Sequence, residues 1–327
     1  MSPMPITRRQ ATHLVRRIPV NRAVSNVSRT GYSMARAARS ILVDPPTPGG
    51  VERPERKRNV GADYDTEWAR SWPSRFVRIA VLNGVWRPIV DLFASPTVHG
   101  ADRFVDVDGP VIFAANHHSH ADTPLMMTAV PEPRRNRFFI AAAADYFFAN
   151  RITSPLSALF IGAIPVERHR VSRSAIDQSL ELLADGWNML IFPEGARSPD
   201  GWGQQFTAGA AFLSSHSGAP IVPTYIMGTD KVLPKGRSFP RPHHVTITFG
   251  APLWIAQGED TRSFAARVQT EVARLADEAT TDWWQASRRA AAGDTPSLQG
   301  PSTGSWRRAW AASGKRRSGQ SRSWPRV

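Results

Sequence analysis

The chain has 327 residues, is 41% hydrophobic, lacks cysteine and carries a net charge of +14. That apolar fraction excludes a wholly disordered protein and suffices for one domain of about 220 residues with tails. Without Cys there can be no disulfide, no thiolate metal site and no cysteine acyl-enzyme.

The charge sits at the ends. Residues 1–60 carry +9 and residues 286–327 carry +8, whereas residues 61–285 carry −3. Residues 1–43 hold eight Arg and no acid, with no continuous apolar core of the kind a secretory signal needs. This composition suits an organellar transit peptide or a basic arm on an anionic membrane surface, which attracts each Arg with about 1 kcal/mol near the headgroups. Pro45 to Gly50 and the charged stretch Glu52 to Arg58 read as a linker. The expected division is therefore a disordered basic arm and linker over 1–60, a folded domain over 61–285 and a disordered basic tail over 286–327.

Phe76 to Phe93 is the most apolar stretch, interrupted by Arg78, Asn83, Arg87 and Asp91, with Pro88 expected to kink or divide a helix. No run reaches the roughly 18 to 20 uncharged residues of a transmembrane span. An interfacial helix pair over 61–95 and a helix buried against the domain are both open readings.

Val111 to Ala115 follow the turn signal Asp108-Gly109-Pro110 and read as a buried strand. The strand delivers Asn116-His117-His118-Ser119-His120-Ala121-Asp122-Thr123-Pro124 to a sheet edge, where chemistry usually sits in such folds. Five steps at about 100° place His117 and Asp122 roughly 140° apart on an ideal helix, so they meet only if the chain turns between them. Asp122-Thr123-Pro124 supplies the turn as an acidic or hydroxyl N-cap with Pro at the helix start. A carboxylate that accepts the proton of one imidazole nitrogen leaves the other nitrogen as a base. Two further readings compete: a capping loop facing water, and a metal site of His117, His118, His120 and Asp122 serving a hydrolase, which lacks a firm ligand frame.

Arg137 to Ala143 reads as a strand, Pro155 to Phe160 as a helix, and the apolar part of Gly162 to Arg168 as a strand ending at an Arg. Ser172 to Asp185 reads as a helix stopped by Gly186. Met189 to Phe192 is a short buried strand opening into Pro193-Glu194-Gly195-Ala196-Arg197-Ser198. A helix over Thr207 to Ser215, strands over Pro220 to Ile226 and His244 to Phe249, and a helix lined by Phe264, Val268, Val272 and Leu275 complete the body. The alternation implies an α/β domain with a mixed, mostly parallel sheet flanked by helices. Gly300-Pro301-Ser302-Thr303-Gly304 matches a serine-hydrolase elbow only literally, since no apolar strand precedes it. The Trp and Arg residues around it suit a membrane interface, nucleic acid or a solvated tail.

Four blocks in order, Asn116-His117-x4-Asp122, Gly162 to Arg168, Phe192 to Ser198 and Ala219 to Pro223, resemble the glycerolipid acyltransferase family, typified by lysophosphatidic acid acyltransferases. Ala196 stands where many members have Thr, and Glu167 and His169 vary the second block. The resemblance implies transfer of a fatty acyl group from acyl-CoA or acyl carrier protein to the hydroxyl of lysophosphatidic acid or a related lysophospholipid, and the flanking apolar segment with basic arms suits a peripheral protein at the membrane surface on the cytoplasmic face. His117 would be the base and Asp122 its partner, with no acyl-enzyme. Arg168 and Arg197 would bind the acceptor phosphate, while Glu194, Gly195 and Ser198 would belong to the acceptor site. No bound cofactor is expected, and nucleic acid is not the expected partner. An adaptor acting through the basic tails is the remaining alternative.

Overall fold

The computed structural model describes residues 61, 63–167, 173–198, 201–234 and 239–300. The arm expected over 1–60 and the stretch beyond residue 300 lie outside the described residues.

Seven strands form one sheet, and six of them arise from the six runs read as strands, which are too short to be helices and are bounded by turn residues. They are β1 (Thr97–His99), β2 (Ile112–Ala115), β3 (Phe138–Ala143), β4 (Ala163–Val166), β5 (Asn188–Ile191), β6 (Ile221–Met227) and β7 (Thr246–Phe249). The order is β1-β7-β6-β2-β5-β3-β4, with every pairing parallel except β6 against β7. This is the mixed, mostly parallel α/β sheet expected. β2 is central, with Phe113 opposite Leu190 on β5 and Val222 on β6.

β2 is buried throughout because its two faces serve two cores. Phe113 and Ala115 face a cluster containing Phe104, Phe138, Leu190, Val222 and Phe249. Ile112 and Ala114 face the other cluster, which holds Phe139, Met189, Ile221 and Phe264. Helices cover both faces: α1 (Trp72–Val81), α2 (Arg87–Ala94), α3 (Asp122–Ala129), α4 (Ala144–Phe147), α5 (Thr153–Ile161), α6 (Arg173–Ala184), α7 (Gly209–Ser217), α8 (Thr229–Val232), α9 (Thr261–Thr280) and α10 (Trp283–Ala292). The four apolar positions read along α9 are all buried.

Three features differ from expectation. Pro88 does not divide its helix: a π turn over Leu82–Trp86, closed by the Arg87 amide donating to the Leu82 carbonyl, joins α1 to α2. A widened turn is how a helix passes a residue that lacks an N–H and crowds the turn before it. The edge strand β1 carries no readable signal, since its three residues are all exposed. The C-terminal boundary at 286 falls inside α10, and Leu298 is buried while its carbonyl accepts the Gly203 amide at 2.9 Å.

Arg78 ties α1 to the domain. It is 5% exposed and donates to the carbonyls of Ala69, Ala158 and Leu159. Burial, with Arg70 and Arg75 nearby, pushes its pKa down to about 10.

The rings of Phe104, Phe113 and Phe249 meet edge to face at centroid distances of 5.0 to 5.7 Å. Phe113→Ala should lower the unfolding free energy by about 3–5 kcal/mol, read as a fall in the urea midpoint at unchanged m-value.

Candidate active site

β2 and β5 are parallel neighbours, so the loops leaving their C-terminal ends emerge side by side. Asn116 makes the exit from β2 possible. Its side-chain amide donates to the Ile226 carbonyl at 2.8 Å and its carbonyl accepts the Ile226 amide at 2.7 Å. A side chain thus replaces the backbone ladder on β6, and the main chain is free to turn out at His117.

The turn that the spacing demands is present. His117 Nδ1 lies 2.8 Å from Asp122 Oδ2, and the same oxygen accepts the amides of His118 at 2.8 Å and Ser119 at 2.9 Å. Asp122 is fully buried, whereas the His117 side chain is 17% exposed. The expected N-cap role is not what Asp122 performs. The helix starts at Asp122 itself, and its carboxylate turns back to the preceding loop because two amides and a ring await it there.

The electrostatics follow from these contacts. Burial pushes the Asp122 carboxyl up, but the hydrogen bond and charge of His117, the Ser119 amide and the Thr229 hydroxyl hold it down, and the net direction is below the ordinary range. A carboxylate beside Nδ1 favours the imidazole tautomer with its proton on that nitrogen, which leaves Nε2 facing away from Asp122. Phe192 stacks on the imidazole at 4.1 Å and 17°, so the ring is held from its face as well as its edge.

The loop after β5 braces the loop after β2 at both ends. Glu194 is buried; Oε1 accepts the His117 amide at 3.1 Å and Oε2 accepts the Gln204 amide at 3.0 Å. The Ser198 amide donates to the His117 carbonyl at 2.8 Å, and the Ser198 hydroxyl accepts the Gly201 amide at 2.8 Å. Glu194 and Ser198, read from sequence as acceptor-site residues, therefore hold backbone around His117. Gly195 is exposed at φ 69°, a conformation that favours glycine, and Arg197 is partly exposed in the same loop. Arg168 lies outside the described residues. Sequence reading places Asn116 and Phe192 in the first and third blocks without giving either a role, and it misses Gln204 and Thr229, which carry no local signal.

Among the described residues, no three His, Asp or Glu side chains come together as a metal-binding group. His120 instead stacks on Tyr146 at 5.0 Å and meets Phe147 edge-on. A cleft of about 620 Å³, lined by Arg103, Asp106, Asp108 and Trp254 among others, opens by the residues that precede β2 and β6, at the end of those strands remote from His117.

Residues 95–227 match the family model described as Acyltransferase. Similar curated proteins include a 1-acyl-sn-glycerol-3-phosphate acyltransferase of Chlamydomonas reinhardtii, 29% identical over 54% of this chain and 52% of its own length. A chloroplastic 1-acyl-sn-glycerol-3-phosphate acyltransferase of Arabidopsis thaliana is also 29% identical, over 44% of this chain and 39% of its own. The chain spans about half, or less, of the length of these relatives. Among solved structures, the 1-acyl-sn-glycerophosphate acyltransferase PlsC of Thermotoga maritima is similar at 23% identity with a TM-score of 0.49, covering 78% of this chain and 92% of that one.

Asp122→Ala should leave the His118 and Ser119 amides without their buried acceptor and lower stability by about 3 kcal/mol at pH 7. The depressed carboxyl of the wild type fixes the sign of the pH effect. Its contribution is complete above the unfolded value of about 3.9 and is lost as pH falls through the lower folded value. In urea melts the stability gap between the two proteins should therefore be constant from pH 7 to about pH 5 and narrow as pH falls below about 4.

Proposed function

We propose that this chain transfers a fatty acyl group from the thioester of acyl-CoA or acyl carrier protein to the hydroxyl of lysophosphatidic acid or a related lysophospholipid. The observation that carries the reading is the 2.8 Å pair of His117 and Asp122 at the mouth of the central strands, inside the acyltransferase-family stretch. The similarity to named 1-acyl-sn-glycerol-3-phosphate acyltransferases supports the acceptor class.

In this mechanism His117 Nε2 takes the proton of the acceptor hydroxyl as its oxygen attacks the thioester carbonyl. The tetrahedral intermediate collapses with breakage of the C–S bond, and the imidazolium returns the proton to the departing thiolate. Asp122 stabilises the imidazolium while it exists and keeps the ring in one orientation. The substrate's own hydroxyl does the work of a nucleophilic serine, so no acyl-enzyme forms.

Arg197, and Arg168 at the end of the second block, are assigned to the acceptor phosphate, where a planar guanidinium binds two oxygens at once. Gly195 lets backbone approach that ligand. Glu194 and Ser198 are assigned the fixing of His117 and of the loop that carries Arg197, because their oxygens and amides are engaged there.

The acyl substrates are amphiphiles, and α1, the π turn and α2 offer a surface for them. Trp72, Phe76, Val85, Ile89 and Leu92 are all exposed along this segment, and Trp72 and Phe76 stack at 6.2 Å. Among the described residues no helix is long and apolar enough to cross a membrane. The segment is assigned to the membrane interface, with its aromatic side chains among the headgroups and the protein peripheral on the cytoplasmic face.

Thiol release from long-chain acyl-CoA in the presence of lysophosphatidic acid tests the reaction. His117→Ala should reduce the rate by about 10³-fold, and a rate within a few-fold of wild type would refute the base assignment. The double variant Trp72→Ser, Phe76→Ser should bind anionic phosphatidylglycerol vesicles at least about tenfold more weakly in sedimentation, since it removes two large interfacial side chains.

A further inference from the structure

Asp122 is lopsided. Its Oδ2 accepts three hydrogen bonds, whereas Oδ1 is buried and has no hydrogen-bond partner. A buried carboxylate oxygen without a donor is costly, and such an atom calls for an explanation. One other buried hydroxyl from the facing element is equally unsatisfied: Thr229 Oγ1, on a residue with no exposure at all.

The chain brings these two together from opposite sides. Asn116 pins its own loop to Ile226, three residues before Thr229, and the Ser119 hydroxyl donates to the Leu233 carbonyl at 2.8 Å, four residues after it. Asp122 and Thr229 are therefore enclosed between two ties joining the same pair of segments. Gly228 directs Thr229 inward. Its φ is 97°, and a Cβ there would come within 2.6 Å of the His244 carbonyl oxygen, so another residue would disturb the turn. The Thr229 hydroxyl also belongs to the set of groups that favour the ionised form of Asp122.

The geometry points to Thr229 as a positioning residue for the dyad, its hydroxyl donating to Asp122 Oδ1 so that the carboxylate plane, and through it the His117 ring, is locked in the working orientation. A threonine side chain in a helix has two accessible χ1 wells, so this bond forms by rotation of one side chain. With Oδ1 held, the carboxylate cannot swing its second oxygen toward the ring, and the proton on Nδ1 has a single acceptor. Without it the carboxylate rocks and the imidazole exchanges tautomers, so the base is correctly presented for only part of the time. Nothing in this role touches substrate, and the effect should fall on turnover, not on KM.

The inference rests on His117 being the base, and the tests separate the two claims. Thr229→Val should lower kcat about tenfold with KM for both substrates within twofold, the order expected when one buried hydrogen bond to a charge is lost from the transition state. Thr229→Ser, which keeps the hydroxyl, should restore kcat to within about threefold of wild type. Nitrogen-15 spectra of histidine-labelled protein should show the His117 ring as the Nδ1–H tautomer in wild type and Thr229→Ser, and as a mixture in Thr229→Val. Should the valine variant fold poorly, Thr229→Ala gives the same comparison without the branched side chain. A folded Val or Ala variant with wild-type kcat and an unmixed tautomer overturns the proposal. If His117→Ala retains activity, the base assignment fails, while the tautomer spectra still decide whether Thr229 holds Asp122.

Discussion

One buried oxygen, Asp122 Oδ2, collects the Nδ1 of His117 and the amides of His118 and Ser119. These three donors give the loop after the central strand a single shape. A carboxylate is the only side chain that can accept all of them while also favouring a defined imidazole tautomer. The same contacts outweigh the desolvation that would otherwise neutralise it. Folding of the loop and orientation of the His117 ring are thus one event, and the ring cannot be loosened without loosening the fold beside it.

The surroundings reinforce this from elements distant in sequence. Glu194, from the loop after β5, fixes the His117 amide, and Phe192 lies flat against the ring. Asn116 replaces a strand hydrogen bond with a side-chain one, so the chain leaves the sheet without orphaning Ile226. The conserved direction of four parallel pairings, β2 to its two neighbours and β3 to its two, places these loop starts on one edge. Peptide geometry, not proximity in sequence, is what assembles the surroundings of the His117–Asp122 pair.

Much of this was legible where signals are local. The unbroken apolar run at Val111 to Ala115 announces a strand covered on both sides, and the five-residue gap between His117 and Asp122 requires a turn that the structure contains. Phe264, Val268, Val272 and Leu275 mark a helix face by their period, and all are buried. What escaped was non-local. Glu194 is 77 positions from the amide it binds and Asn116 is 110 from Ile226, separations across which no periodicity or spacing carries information. β1 escaped for a different reason: three exposed residues at an edge have no apolar pattern to read. Asp122 reads as a cap because capping is a local habit of Asp before a helix, whereas its actual partners depend on how the whole loop folds back.

The π turn at Leu82–Trp86 means that the segment from Trp72 to Ala94 holds one residue more than a regular helix of the same path would. Removing a single residue within the turn would restore ordinary winding and leave the faces on either side in register, so Val90 and Ala94 would stay in the core and Ile89 and Leu92 would stay outward. A residue removed where no widened turn absorbs the change would instead rotate everything downstream by about 100°. The turn is therefore the one place in this stretch where the chain can shorten by a residue without disturbing either face.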